Sequence, residues 1–167
     1  NNLEKQSSDS KKNIQEKTKK AEFSEDQLRV ALKQEIGQGL AEVQREKDRV
    51  VVTVGSAGAF SSGSAKLTKQ ARAIMQKIAK VSAKGAGQVN VSGHTDDVPL
   101  IFGGQYRDNW DLAAARASSV VQELAKANTI PPDKLRAISF GETRPIEQND
   151  TQQGREKNRR IEIEIKY

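Results

Sequence analysis

Cysteine is absent from this sequence, and histidine, methionine and tryptophan occur once each. Without thiols the chain forms no disulfide, has no thiol nucleophile and offers no cysteine ligand to zinc. The longest apolar runs, such as Val50-Val51-Val52, are far shorter than the roughly 18 to 20 residues that cross a bilayer as a helix. Aromatic residues make up only 4 % and charged residues 30 % of the chain. We therefore expect a largely water-exposed chain that contains no membrane helix.

The sequence does not begin with methionine. The first residue is Asn1, and the one methionine is Met75. We therefore expect a processed or truncated piece, with any signal peptide or membrane anchor upstream of it.

Charge is distributed unevenly along the chain. The net charge of +6 falls entirely within residues 49–167, because residues 1–48 contain ten basic and ten acidic residues. Residues 1–23 hold few apolar side chains to offset the entropy cost of ordering, so they are predicted to form a flexible charged tether. The basic cluster near Arg159 lacks interleaved aromatic residues, so we expect no nucleic-acid partner.

Residues 24–48 are predicted to form an amphipathic linker helix. Ser24 through Gln27 fit the capping-box pattern that begins many helices. The apolar residues that follow recur at spacings of three and four, as on one face of a helix; they are Leu28, Leu32, Ile36, Leu40 and Val43. This apolar stripe packs either on its own domain or on a partner, such as a second copy of the chain.

Strand and helix patterns alternate from residue 49 onward. Strands are predicted at residues 49–55, 88–92, 136–140 and 161–167, and helices at residues 67–84 and 109–128, with a short helical turn at 151–157. This β-α-β-α-β-(α)-β order predicts an α+β two-layer sandwich with a mixed four-stranded sheet. A long N-terminal helix precedes it.

Polar residues cluster where the second of these strands ends and the next helix begins. Asp96 follows the strand, and Asn109, Leu112 and Arg116 share one helix face. A carboxylate and a guanidinium across a groove suit a ligand that carries both an ammonium and a carboxylate. The alternative is an ion pair between Asp96 and Arg116 with only a structural role. His94, the only histidine, is expected to be a hydrogen-bonded residue at a strand end, so no metal is expected.

Several sequence blocks in this order resemble the OmpA-like peptidoglycan-binding domain, over about residues 49–167. The blocks are Val89-Asn90-Val91-Ser92-Gly93-His94-Thr95-Asp96, Asn109-Trp110-Asp111-Leu112 with Arg116-Ala117, Phe140-Gly141-Glu142, and Gly154-Arg155 with Asn158-Arg159-Arg160-Ile161. Thr95-Asp96-Asp97-Val98-Pro99 is further similar to the branch of that family formed by flagellar motor stator subunits of the MotB/PomB type.

This resemblance implies a non-catalytic periplasmic anchor that binds the diaminopimelate-containing stem peptide of peptidoglycan and fixes the stator to the cell wall. It implies no enzyme activity and no cofactor. The ligand-binding residues that it implies are Asp96 and Arg116 as main contacts, with Thr95, Asn109, Leu112 and Arg159 in support. Residues 99–107, with Ile101, Phe102 and Tyr106, are interpreted as a flap over the groove.

The resemblance also implies partners. We expect a homodimer, a channel-forming stator subunit that is met through an inner-membrane segment missing from this sequence, and periplasmic ring proteins. The alternative function is a dimerisation or assembly module that contacts motor or ring proteins, with wall binding secondary.

Overall fold

The computed structural model describes residues 1–101 and 104–167. Its helices are α1 (Asn2–Ala31), α2 (Lys33–Gly37), α3 (Ser56–Ala59), α4 (Lys69–Ser82), α5 (Asn109–Lys126) and α6 (Gln152–Asn158), and a short 3-10 turn spans Pro132–Lys134. Its strands are β1 (Ala41–Glu46), β2 (Arg49–Gly55), β3 (Gln88–His94), β4 (Leu135–Gly141) and β5 (Arg160–Lys166). Among the described helices, none has the length and apolarity that a membrane crossing needs.

The strands form one mixed sheet in the order β1-β2-β5-β3-β4. The β3–β4 pair is parallel and the other pairs are antiparallel. Side chains alternate along each strand, and one set is buried with residues of α1, α4 and α5 in a single core. The predicted α+β fold with helices on a mixed sheet is confirmed, although the sheet has five strands rather than four.

The fifth strand lies where a helix was predicted. Helical structure ends at Gly37, and Ala41–Glu46 pairs antiparallel with β2 through the turn at Lys47 and Asp48. The prediction of a continuous helix over residues 24–48 is therefore wrong in its last third. The physical reason is pairing between the two strands, because β2 supplies hydrogen-bond partners to the backbone of β1. In this arrangement the alternate residues Ala41 and Val43 are buried in the core.

The N-terminal region is helical from its start. The helix does not begin at Ser24, because α1 already starts at Asn2, where the Asn1 side chain accepts a hydrogen bond from the Leu3 N–H. Residues 1–23, predicted as a tether, are rich in Lys, Glu and Gln, which have high intrinsic helix propensity. The division into tether, linker helix and domain at residues 23 and 48 stays a prediction.

The second half of α1 packs on the domain. Leu28 and Leu32 are fully buried in the core. The Tyr167 hydroxyl donates a hydrogen bond to Ser24 Oγ (2.5 Å), and burial raises the pKa of Tyr167 although this hydrogen bond acts in the opposite direction. Of the two arrangements considered for the apolar stripe, this part of the chain adopts packing on its own domain.

Candidate functional site

A groove of about 590 Å³ opens beside the end of β3 and the start of α5. Its lining comes from the segment after β2, the segment after β3, the first turns of α5 and the residue that precedes β5. All of the predicted ligand-binding residues line this groove; they are Thr95, Asp96, Asn109, Leu112, Arg116 and Arg159. The fold thus brings together residues that are up to 64 positions apart in the sequence.

Local structure explains this convergence. The chain leaves β3 after His94, and the Thr95 N–H donates to the Gly141 carbonyl (2.8 Å), which fixes the turn that presents Asp96. The Asp108 side chain caps α5 by accepting from the Asp111 N–H. Helical periodicity then turns Asn109, Leu112 and Arg116 toward the groove.

Asp96 forms an ion pair with Arg159, and not with Arg116 as the sequence-based alternative supposed. Its Oδ2 atom lies 2.5 Å from Arg159 Nη1, and its Oδ1 atom accepts from the Val98 N–H (3.1 Å). Asp96 is only 7 % exposed, whereas the Arg159 side chain is 35 % exposed, so the carboxylate is shielded from water and the guanidinium is not. Among the described residues, no ion pair joins Asp96 to Arg116. A ligand ammonium that reaches Asp96 must therefore share the carboxylate with Arg159 or displace it.

Arg116 is a buried cation without a carboxylate partner among the described residues. Its Nε donates to the Ser64 carbonyl (2.9 Å), and its guanidinium carbon lies 4.9 Å from the centre of the Phe60 ring. Burial lowers the pKa of Arg116, the charge of Arg159 lowers it further, and Tyr106 acts in the opposite direction. Arginine nevertheless stays protonated in proteins. A buried, unpaired charge is costly, so this guanidinium is suited to receive an anion.

Asn109 and Thr95 mainly shape the backbone around Asp96. The Asn109 Nδ2 atom lies 3.3 Å from the Asp96 carbonyl, 3.1 Å from the Val98 carbonyl and 3.3 Å from Glu142 Oε2. The Thr95 hydroxyl donates to the Asp96 carbonyl (2.8 Å). Both side chains hold the polypeptide that carries the carboxylate.

The segment predicted as a flap, residues 99–107, follows Asp96 and Val98 in the chain. The groove lining includes six residues of this segment: Pro99, Leu100, Ile101, Gly104, Gln105 and Tyr106. Phe102 lies outside the described residues, and closure of the groove by this segment stays a prediction.

Two parts of the site were missed in the sequence. They are the Ser64 carbonyl and the Phe60 ring, which together position Arg116. A backbone carbonyl leaves no signal in a sequence. Phe60 was not among the predicted site residues.

His94 lies outside the lining of the groove. It is buried at the end of β3, with Nε2 3.0 Å from Ser92 Oγ and 3.0 Å from Glu162 Oε2, and it stacks on Phe140. The expectation of a hydrogen-bonded strand-end residue is confirmed. Within the described part of the chain, no three His, Asp or Glu side chains come together as metal ligands would.

Comparison with known proteins defines the class. The model of the OmpA family matches residues 59–159, which is more than half of the chain, and the chain therefore belongs to the OmpA family. This membership confirms the expectation, implied by the resemblance, that the chain is not an enzyme.

Two curated relatives come from Bacillus subtilis. The uncharacterized protein YtxE is 34 % identical over 153 residues, which cover 89 % of this chain and 63 % of YtxE. Motility protein B is 28 % identical over 125 residues, which cover 74 % of this chain and 48 % of that protein. The chain thus spans less than two thirds of either relative.

Solved structures show the same fold. A MotB-like protein from Desulfovibrio vulgaris superposes with a TM-score of 0.82 at 22 % identity, covering 92 % of this chain and 94 % of that one. The cell wall anchor of the T6SS from Pseudomonas aeruginosa gives 0.73 at 31 % identity, covering 83 % and 96 %. The periplasmic domain of Helicobacter pylori MotB gives 0.66 at 28 % identity, covering 75 % and 78 %.

Proposed function

We propose that this chain is a non-catalytic periplasmic anchor that binds peptidoglycan through the groove around Arg116. The observation that carries this proposal is the guanidinium of Arg116, which has no carboxylate partner among the described residues and lies buried in a groove large enough for a ligand. Support comes from the relatives, which include a cell wall anchor and a MotB periplasmic domain.

The ligand proposed is the diaminopimelate residue of the stem peptide. Its free carboxylate pairs with Arg116, whose planar fork suits two parallel hydrogen bonds. Its ammonium binds Asp96, which then shares its charge between the ligand and Arg159. Hydrogen bonds to charged groups contribute about 1.5–3 kcal/mol each. Leu112 supplies an apolar wall to the groove that holds Asp96 and Arg116.

The biological setting proposed is the flagellar stator. Motility protein B relatives support it, and the anchor would fix a stator complex to the wall as a homodimer. The channel-forming partner subunit would be met through an inner-membrane segment of the longer protein, and ring proteins would be met in the periplasm.

A dimerisation or assembly module is the second candidate. Leu3 and Ile14 are 73 % and 62 % exposed, yet their spacing places them on the helix face that carries buried Ala21 and Leu28. This face of α1 continues beyond the domain with nothing covering it among the described residues. A second copy of the chain would pack there.

Sedimentation of the chain with isolated peptidoglycan sacculi tests wall binding, with free diaminopimelate as competitor. We expect Asp96→Asn and Arg116→Ala each to weaken binding by about 10- to 100-fold, because each removes a charge-assisted hydrogen bond. Arg136→Ala is the matched control, since Arg136 is an exposed arginine of β4 that does not line the groove. Thermal unfolding verifies that the variants fold, and full binding by both groove variants would refute the assignment.

A further inference from the structure

The loop of residues 60–67, here called the groove loop, forms one wall of the site. Its two ends meet in a bridge between Phe60 and Leu67. Between them, Ser62 and Gly63 line the groove, and the carbonyls of Ser64 and Ala65 accept hydrogen bonds from side chains of α5. The groove loop therefore touches both the ligand space and the helix that carries Arg116.

Two side chains of α5 make these hydrogen bonds. Arg116 Nε donates to the Ser64 carbonyl at 2.9 Å, and the Ser119 hydroxyl donates to the Ala65 carbonyl at 2.6 Å. Ser119 lies one helical turn after Arg116, so the two donors point to consecutive carbonyls of the same loop. Among the described residues, these are the side-chain hydrogen bonds that join α5 to the groove loop.

The position of the groove loop decides the orientation of Arg116. The loop supplies the acceptor for Nε, and it begins at Phe60, whose ring lies against the guanidinium. If the loop moves away from α5, Arg116 loses both contacts, and its Nη atoms no longer stay directed at a ligand carboxylate. Bidentate recognition depends on that direction.

We propose that Ser119 is a positioning residue for ligand binding, which holds the groove loop so that Arg116 meets the carboxylate of the ligand in the correct orientation. This inference rests on the proposed function of the groove. Ser119 itself does not line the groove, so it acts through the loop and Arg116 rather than by touching the ligand.

The first test compares Ser119→Ala with Ser119→Thr, which restores the hydroxyl. Isothermal titration with diaminopimelate measures affinity. We expect Ser119→Ala to raise Kd about three- to tenfold, the range for loss of one hydrogen bond, and Ser119→Thr to return it to within about twofold of the unmodified chain. Ser118→Ala is the control, since Ser118 is the adjacent half-buried serine and makes no side-chain hydrogen bond to a described residue.

Ser119 Oγ also lies 3.1 Å from the Ala115 carbonyl of its own helix, so a purely structural role is the competing explanation. A double variant separates the two. Methionine has no N–H or O–H to donate to the Ser64 carbonyl, so in an Arg116→Met background the Ser119→Ala change is expected to alter Kd by less than about 1.5-fold if it acts through Arg116. An equal loss in both backgrounds would overturn the proposal.

The remaining outcomes are also decisive. If the unmodified chain binds, Arg116→Ala weakens binding as expected and Ser119→Ala binds normally, then the role proposed for Ser119 is wrong and the proposed function stands. If the unmodified chain binds neither diaminopimelate nor sacculi, the proposed function and the role of Ser119 are both wrong.

Discussion

Glu162 lies on β5, the central strand of the sheet, and contacts two buried side chains. Its Oε2 atom lies 2.8 Å from Arg160 Nη2 and 3.0 Å from His94 Nε2. Arg160 is nearly fully buried and also donates to the carbonyls of Asn158 and Arg144. The hydrogen bond from His94 lowers the pKa of Glu162, and the charge of Arg160 lowers it further, while burial acts in the opposite direction.

We expect Glu162→Gln to lower stability in a pH-dependent way. Because the folded-state pKa of Glu162 is below its unfolded value of about 4.5, its charge stabilises the fold above that pH, and the contribution is lost as pH falls through the lower folded-state pKa. Loss of charge-assisted hydrogen bonds to a buried arginine costs about 1.5–3 kcal/mol at pH 7. The difference from the unmodified chain should shrink as the pH falls below about 4.5.

Urea unfolding at several pH values measures this difference. Glu156→Gln serves as the control, because Glu156 is exposed and makes no ion pair with a described residue. A stability loss of equal size at pH 7 and at pH 3 would show that the charge of Glu162 is not the cause.

At the residue scale the sequence could place only part of the site. Asp96 at a strand end and Arg116 on a helix face follow from local pattern and from the family resemblance. The pairing of Asp96 with Arg159 joins positions 63 residues apart, and it depends on how β5 enters the sheet. No local pattern contains that information.

Among the elements, α4, α5 and strands β2 to β5 were predicted within two residues at each end. In these elements the apolar pattern extends over most of the element, and the apolar positions are largely the buried ones. Residues 41–46 were misassigned because Leu40 and Val43 continue the helical spacing of Leu28, Leu32 and Ile36. Whether such a short segment becomes strand or helix is decided by its neighbour, here β2, rather than by its own sequence.

The second half of α1 is expected to be part of the folded core. Leu28 is fully buried, whereas Val30, two positions later, is 78 % exposed. Leu28→Ala should therefore cost about 2–5 kcal/mol, through lost burial and the cavity left behind. Val30→Ala on the same helix should change stability by less than about 0.5 kcal/mol.

Chemical denaturation of both variants measures these costs. Equal, small effects would mean that α1 does not pack on the domain in solution, and the region after residue 24 would then act as a linker. A large cost for Leu28→Ala alone supports the packing described above.

At the scale of the whole molecule, α1 extends well past the domain. Its 30 residues span about 45 Å at 1.5 Å per residue. Residues 1–20 are exposed apart from half-buried Thr18, and burial begins only at Ala21. The helix therefore has a projecting part that makes little contact with the domain and a packed part that completes its core.

Deletion of residues 1–20 separates anchoring by the domain from assembly through the helix. Because those residues add little to the core, the shortened chain should keep its Tm within about 2 °C, which corresponds to less than about 1 kcal/mol for a chain of this size. It should also bind sacculi with unchanged affinity, since every predicted site residue lies beyond residue 94.

The same deletion tests dimerisation. If the projecting part pairs two chains, sedimentation velocity will show a dimer for the full chain and a monomer for the shortened one. A monomer in both would exclude the helix as the dimer contact, and loss of sacculus binding on deletion would show that the projecting part supports the groove directly.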